Sequence, residues 1–541
     1  MNLKTSMYGL LYEEAKKYKN NRAMYFKGNS ISYEDFMNRV DRLAAYLEDI
    51  GVTKDDCVSV CMPNIPQTIY AIYAVNRIGA KLSIIHPLTP CAQLKGYLEH
   101  CDSKYLMILD ISYKHFKELT KSYQVIVASI VDDLPFIKGV AYGLTIKKER
   151  KEVKNANVLM FNKMNEYEPS KNEYSKEYQA SSVYLHSSGT TGKPKTIELS
   201  NYAVNAVAHQ SFYIMQTNTF EGTSMLTILP MFHGFGLTLN AHNVFIGGGT
   251  CSIMPKFNIK EVRSLLNKNL INYIVGVPSL FEALLKDKKF VNNPNIKNII
   301  QTFVGGDFAH PTLQDRFNTL LKKHGSNARL LEGYGLTETV TVNCVNRASD
   351  ERKGSVGKPL LGYKMKIVDL ETKKELGPNQ DGEIIVTCDA IMNGYLKDEE
   401  TTNQVLKKDE NGVLWVYTGD LGYMDEDGYL YLKSRLKRVI KVSGVPVFPS
   451  EVEKVVSSLK EIDKACAVSM KDEEKGFMIK LYVTTKSDVV NKDELTDKIY
   501  KLCKEKLIRY ALPKKIIYLD EMPLTPFNKI DYRSLEARED D

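Results

Sequence analysis

Several features that would assign this 541-residue chain to a class outright are missing from it. No stretch of about 20 uninterrupted apolar residues exists, which excludes a spanning helix; peripheral contact with a membrane stays open. Residues Met1 to Asn20 are charged and tyrosine-rich, without the apolar segment of a signal peptide, so no secretory signal is expected. The nine cysteines (Cys57, Cys61, Cys91, Cys101, Cys251, Cys344, Cys388, Cys466, Cys503) are scattered and include no Cys-x-x-Cys pair. Their odd number and spacing argue against a zinc site or a disulfide framework and for a reducing, cytoplasmic location. A dominant charge is also absent: 73 basic against 66 acidic residues leave +7. That suits anionic small molecules and is far too mild for nucleic acid. There is no internal repeat and no long low-complexity tract. The remainder, 43% hydrophobic and 26% charged, is an ordinary globular composition. The chain is too long for one core, so at least two domains are expected.

The most informative segment present is Ser187-Ser188-Gly189-Thr190-Thr191-Gly192-Lys193-Pro194-Lys195, directly after the apolar run Val183-Tyr184-Leu185. Glycines let backbone N–H groups turn towards a phosphate without a Cβ in the way. Threonine hydroxyls can bond phosphate oxygens or a magnesium ion, and lysines neutralise charge. The loop therefore reads as a polyphosphate holder. It is not the P-loop of kinases and GTPases, whose glycines lie five apart before Lys-Ser/Thr. Here Gly189 and Gly192 are three apart and Pro194 follows a lysine.

Around this loop strands and helices alternate, the pattern of an α/β protein with a parallel sheet and helices on its faces. Ser32 can cap a helix bearing Phe36, Val40, Leu43, Ala44 and Leu47 at helical spacing, with Gly51 placed to end it. Cys57–Cys61 reads as a buried strand, Pro66 to Asn76 as a helix and Lys81 to Ile85 as another strand. The lysine-rich stretch Lys147 to Tyr178 reads as surface excursions, and Val356 to Leu432 as a β-rich lobe. The basic connector Ser434-Arg435-Leu436-Lys437-Arg438 separates a large domain, 1–433, from a small α+β domain, 434–541. In the latter, Ser450 and Glu453 are spaced as a capping box ahead of Val452, Val455, Val456, Leu459 and Ile462.

Several segments, in order, resemble the adenylate-forming superfamily of acyl-CoA synthetases, aryl-CoA ligases, luciferases and the adenylation domains of peptide synthetases. The resemblance runs from about Ile31 to Leu535. It implies that the loop Ser188, Gly189, Thr190, Thr191, Gly192 and Lys195 holds the β- and γ-phosphates of ATP, although Thr196 stands where relatives usually have glycine. Gly333-Tyr334-Gly335-Leu336-Thr337-Glu338 matches the second signature: Tyr334 would stack on adenine, and Thr337 and Glu338 would hold a phosphate oxygen and Mg²⁺, the ion shared with Thr190. Gly305-Gly306-Asp307 falls where relatives line adenine with backbone. Tyr417-Thr418-Gly419-Asp420 resembles the ribose segment, a carboxylate being able to accept from both ribose hydroxyls; Leu432 and Arg435 follow in the same pattern. Leu229-Pro230-Met231-Phe232-His233-Gly234 resembles the border of the acyl pocket, where the resemblance implies that His233 gates the carboxylate entrance. Amino-acid-activating relatives place Asp at the His233 position to pair a substrate ammonium, so the acid implied here is not an amino acid. Pro523-Leu524-Thr525-Pro526-Phe527-Asn528-Lys529 resembles the segment whose lysine offsets repulsion between the attacking carboxylate and the α-phosphate; Asn528 replaces the usual glycine.

The resemblance implies a two-step reaction. A carboxylate attacks ATP·Mg²⁺ to give acyl-adenylate and pyrophosphate, and a thiol then displaces AMP. Between the steps a mobile small domain turns about Lys437, withdrawing Lys529 and presenting Lys441-Val442-Ser443-Gly444 to the thiol. An acyl-CoA synthetase acting on a fatty or similarly apolar acid is the expectation. An aromatic acid, the pantetheine of an acyl carrier protein as acceptor, and a nucleotide-binding regulator without catalysis remain as rivals.

Overall fold

Ser32 opens the first long helix, Tyr33–Asp49, by accepting a hydrogen bond from the Asp35 amide at 3.0 Å. Phe36, Val40, Leu43, Ala44 and Leu47 are all buried along one side of it, and Gly51 at φ +95° turns the chain beyond its end. The strand Cys57–Cys61 is buried at every position, as a strand covered on both faces requires. Helix Pro66–Ile78 starts on its proline and closes on Gly79 at φ +89°. The structure, a computed structural model, describes residues 1–187, 195–307, 309, 311–442, 445–472, 476–486, 491–525 and 529–538.

The chain packs as two compact units: Met1–Lys353, Gly357–Lys364 and Thr387–Val416 form one, and Gly354–Val356, Met365–Val386 and Tyr417–Asp541 the other. The first unit holds two large sheets. One is ordered Gly394–Tyr395, Lys195–Ser200, Ser181–Ser187, Lys81–Ile84, Cys57–Cys61, Ser103–Leu109, Gln124–Ala128, Leu159–Met160. Its pairings are parallel from Ser181–Ser187 outward to Leu159–Met160, and antiparallel where Lys195–Ser200 and Gly394–Tyr395 are added. The other is ordered Lys358–Pro359, Val342–Val345, Leu330–Gly335, Gln301–Val304, Tyr273–Gly276, Ser224–Thr227, Thr250–Ile253, Arg22–Phe26, Asn29–Ser32. It too has a parallel centre with antiparallel strands at its ends. Ligands of open α/β sheets gather at the carboxyl ends of parallel strands. The segments Leu229–Gly234 and Gly305–Asp307 follow such ends, after Ser224–Thr227 and Gln301–Val304.

Most of a sheet with Lys364–Val368, Gly382–Thr387, Leu414–Met424 and Leu430–Arg435 falls in the second unit, which also contains a three-stranded sheet of Ile462–Asp472, Gly476–Thr485 and Pro513–Tyr518. Val452, Val456, Ile479, Leu481, Ile499 and Cys503 form the core between the latter sheet and helices Pro449–Val456 and Lys492–Lys506. The expected capping box does not form. The helix begins two residues earlier, on Pro449 after Phe448, with no side-chain cap. Ser450 Oγ instead donates to the Lys433 carbonyl, and Glu453 accepts from Arg438 Nη2 and the Ala467 amide. Within the lysine-rich stretch, Lys147–Lys154 forms a helix with its basic residues exposed.

Candidate functional site

In the first unit, Ser188, Gly189, Thr190, Thr191 and Gly192 lie outside the described residues, while both strands flanking their loop are described. His186 and Thr196 face each other across those strands. His186 Nδ1 lies 3.0 Å from Thr196 Oγ1 and its Nε2 lies 2.9 Å from Ser83 Oγ. Both residues are buried, and burial pushes the imidazole pKa down to about 3, so the ring is neutral. A neutral imidazole donates from one nitrogen and accepts at the other, and two hydroxyls can match either tautomer. Thr196 thus fills the place of the expected glycine with a buried, hydrogen-bonded side chain.

Lys195 is the first described residue after the loop, and its Nζ sits 4.4 Å from the centroid of the Tyr395 ring. Tyr395 pairs with Ile197 on the neighbouring strand, and its hydroxyl donates to Glu338 Oε1 at 2.7 Å. The Met392 amide donates to the Glu338 carbonyl at 2.8 Å. Two predicted residues from distant segments, Lys195 and Glu338, are therefore joined through a tyrosine that no motif marks. The available signal was Asn393-Gly394-Tyr395, a turn dipeptide ahead of an aromatic.

Backbone crowding explains the glycines. Gly333, Tyr334 and Gly335 lie on strand Leu330–Gly335. A Cβ on Gly335 would fall 1.5 Å from the Thr341 carbonyl oxygen, which no side chain can accommodate. The chain then turns through Thr337–Thr339, and Val340 takes φ +65°, a strained value for a β-branched residue. A Cβ on Gly234 would meet the Val340 carbonyl oxygen at 1.8 Å, so the segment carrying His233 lies directly against that turn. His233 is half-buried, its Nδ1 accepting from the Phe235 amide at 3.2 Å. The Cβ position of Gly305 lies 3.2 Å from the Gly333 carbonyl oxygen and 3.7 Å from the Phe235 ring. Gly306 follows at φ +79°, and Asp307 is exposed. Tyr334 is buried, while Thr337 and Glu338 are half-buried. The first unit thus gathers Gly305, Gly306, the Gly333–Gly335 strand and His233 around one tight turn, with Glu338 on that turn reaching Tyr395 and Lys195.

In the second unit, Asp420 and Arg435 face each other on paired strands, with Arg435 Nε 2.9 Å from Asp420 Oδ1. Asp420 is buried and Arg435 exposed. The Asp420 amide donates to Thr418 Oγ1 at 3.0 Å, and Thr418 Oγ1 donates to the Ile384 carbonyl at 2.7 Å. Gly419 between them takes φ +68°. Leu432, exposed, lies opposite Gly422 on the same pair of strands. Lys441 is exposed on strand Ile440–Val442, and Gly444 lies outside the described residues. Lys529 is exposed as well; its carbonyl accepts from the Thr525 amide at 2.7 Å, and Leu524 bridges to Ile530. Lys437 lies in the short helical turn Leu436–Arg438.

Comparison with known proteins shows the family and the fold. Residues 11–396 match the AMP-binding enzyme family, and residues 451–529 match the AMP-binding enzyme C-terminal domain. A long-chain-fatty-acid–CoA ligase of Bacillus subtilis (strain 168) is 28% identical over 550 residues, covering 99% of this chain and 94% of that protein. The 4-coumarate–CoA ligase 2 of Nicotiana tabacum is 28% identical over 520 residues, covering 94% and 89%. The crystal structure of ATP-bound MatB from Rhodopseudomonas palustris shares the fold with a TM-score of 0.84 at 20% identity, covering 99% of this chain and 98% of that one. The chain belongs to the AMP-binding enzyme family, among the adenylate-forming acyl- and aryl-CoA ligases, and is an acid–thiol ligase.

Proposed function

We propose that the protein activates an apolar carboxylic acid of the fatty-acid kind with ATP and transfers the acyl group to the thiol of CoA. The observation that carries this reading is the Lys195–Tyr395–Glu338 constellation, which fixes a cation and a carboxylate beside the glycine-crowded turn. In the first step a carboxylate oxygen attacks the α-phosphorus, the bond from that phosphorus to the bridging oxygen breaks, and pyrophosphate leaves. Thr190, Thr191 and Lys195, with the amides of Ser188, Gly189 and Gly192, would hold the departing phosphates. Tyr334, with Gly306 and Asp307, would seat adenine; Asp420 would accept from the ribose hydroxyls, Arg435 and Leu432 flanking it. Lys529 would touch both anions in the transition state, where a positioned charge acts most strongly. Glu338 suits Mg²⁺, which usually keeps several waters and takes one or two carboxylates with substrate phosphates. Such an ion, shared with Thr190, would neutralise phosphate charge when bound.

In the second step the thiol attacks the acyl carbonyl carbon and AMP leaves. We assign the change between steps to rotation of residues 434–541 against 1–433 about Lys437, which would exchange Lys529 for Lys441 and Gly444. His233 supports the substrate class: a half-buried imidazole accepting a backbone hydrogen bond does not pair with a substrate ammonium. The fatty-acid relatives point the same way. The nine cysteines, none in a disulfide, support a reducing cytoplasmic setting.

The test is pyrophosphate release from ATP·Mg²⁺ across a panel of carboxylic acids, with and without CoA. Release on fatty acids with CoA consumed supports the reading. Preference for coumarate- or benzoate-like acids replaces the fatty acid with an aromatic one. Adenylate formation with CoA untouched moves the acceptor to a carrier-protein pantetheine. ATP binding with no release on any acid favours a regulator.

A further inference from the structure

Helix Phe136–Thr145 is inverted relative to an ordinary surface helix. Its two glycines, Gly139 and Gly143, face the protein and are buried, while Phe136, Ile137, Val140 and Leu144 are 84, 81, 51 and 68% exposed. The glycine side is closely packed: a Cβ on Gly139 would lie 3.3 Å from the Val131 carbonyl oxygen, and one on Gly143 2.8 Å from an Arg150 guanidinium nitrogen. Surface helices bury their bulky apolar stripe and show a polar one. Here spacings of three and four residues align Phe136, Ile137, Val140 and Leu144 into one exposed apolar strip. The next helix, Lys147–Lys154, carries five basic residues and two acidic ones. Lys147, Lys148, Arg150, Lys151 and Lys154 are all exposed. A helix of this length, about 15 Å, is far too short to cross a bilayer.

We propose that these two helices dock the protein onto an anionic lipid surface. Phe136, Ile137, Val140 and Leu144 enter the boundary between headgroups and acyl chains, and the Lys147–Lys154 helix lies against acidic headgroups. The charge selects this occupant. A second copy of the chain seated on the strip would bring two sets of exposed lysines, Lys147, Lys148, Lys151 and Lys154, together, whereas an acidic lipid surface satisfies both the apolar strip and the cations. The proposal concerns where the enzyme sits, and it stands whichever acid the enzyme activates.

The experiment is co-sedimentation of the full-length protein with vesicles of phosphatidylcholine alone or mixed with phosphatidylserine. Binding is expected to the mixed vesicles, weak on phosphatidylcholine, and falling as salt rises. Phe136→Ser with Ile137→Ser, and separately Lys147→Gln with Lys151→Gln, should each lower the partition about tenfold. Neither pair should alter acid-dependent pyrophosphate release measured without vesicles. Absence of wild-type binding to the mixed vesicles, or binding by both variants equal to that of the wild type, overturns the proposal. Self-association of the wild type that the Phe136/Ile137 variant abolishes overturns it too, by making the strip an interface between copies.

Discussion

Glu338 and Lys529 are both assigned to phosphate chemistry, yet the chain holds them in opposite ways. Glu338 is half-buried, its carboxylate bonded by the Tyr395 hydroxyl and its carbonyl by the Met392 amide. It sits on a turn where Gly335 and Gly234 leave no room for a Cβ. Lys529 is exposed, on a local turn closed by its own neighbour Thr525. A group that holds nucleotide throughout both steps gains from a rigid surround, because preorganised contacts cost no reorganisation on binding. A group needed in one step and obstructive in the next gains from having little buried around it, since leaving then breaks few contacts. The difference in packing is what the two-step proposal requires of these two residues.

The largest expected effect breaks the comparison on its exposed side. Lys529→Ala should lower acid-dependent ATP–pyrophosphate exchange by about 10²–10³-fold, the usual cost of removing one transition-state contact. ATP affinity and thermal midpoint should stay at wild-type values. Exchange at the wild-type rate would falsify the role. The opposite outcome is expected on the packed side. Gly335→Ala must displace the Thr341 carbonyl, 1.5 Å from the new Cβ, and should cost about 3 kcal/mol of stability. A thermal midpoint unchanged by that substitution would mean the turn is softer than its packing indicates.

Asp420 falls between the two, buried itself but paired with an exposed arginine. Asp420→Asn keeps the shape and removes the charge, so ATP should bind about 10- to 100-fold more weakly, as expected for one charged hydrogen-bonded contact. Unchanged ATP affinity would remove Asp420 from ribose binding. The His186 bridge supplies a pH test of the packed side. Burial is the main cause of its lowered pKa, His100 nearby the lesser one, and the folded value is about 3 against 6.5 ordinarily. The unfolded chain therefore takes up a proton first, so this contribution is full above pH 6.5 and is lost as pH falls from there towards 3. His242, also at about 3, acts in the same sense, while Asp132, raised to about 6 by burial, acts in the opposite one. Comparison with His186→Gln isolates the bridge: between pH 6 and 5 the wild type should lose about 1 kcal/mol more in urea unfolding. Parallel losses in both proteins would show that the ring is not held neutral.

Much of this was legible because local signals and tertiary packing agreed. The cap at Ser32 and the buried run Cys57–Cys61 both lie where their patterns place them. Disagreement arose where a long-range partner outbid a local one. Ser450 and Glu453 have the capping-box spacing, but Lys433, Arg438 and Ala467 take their hydrogen bonds and Pro449 starts the helix. Thr196 looked like a departure in a loop, and its meaning depends on His186 and Ser83, the latter on a strand over a hundred residues earlier. In Phe136–Thr145 the apolar spacing is helical, but periodicity does not say which side faces inward; the buried pair Gly139 and Gly143 does.

Tyr395 is the residue that sequence reasoning missed, and its substitution is expected to have the smallest effect while deciding the most about Glu338. Its ring and its hydroxyl do different things: the ring lies 4.4 Å from Lys195 Nζ, and the hydroxyl donates to Glu338. Tyr395→Phe keeps the first contact and removes the second. Losing one hydrogen bond to a carboxylate of intermediate exposure should cost ~0.5–1 kcal/mol, read as a two- to fivefold rise in the KM for ATP·Mg²⁺ with kcat unchanged. Tyr395→Ala removes the ring as well and should raise the KM further, through Lys195. If Tyr395→Phe leaves the KM unchanged and Tyr395→Ala raises it, the tyrosine serves Lys195 alone, and Glu338 takes its orientation from the crowded backbone of the Gly335–Val340 turn.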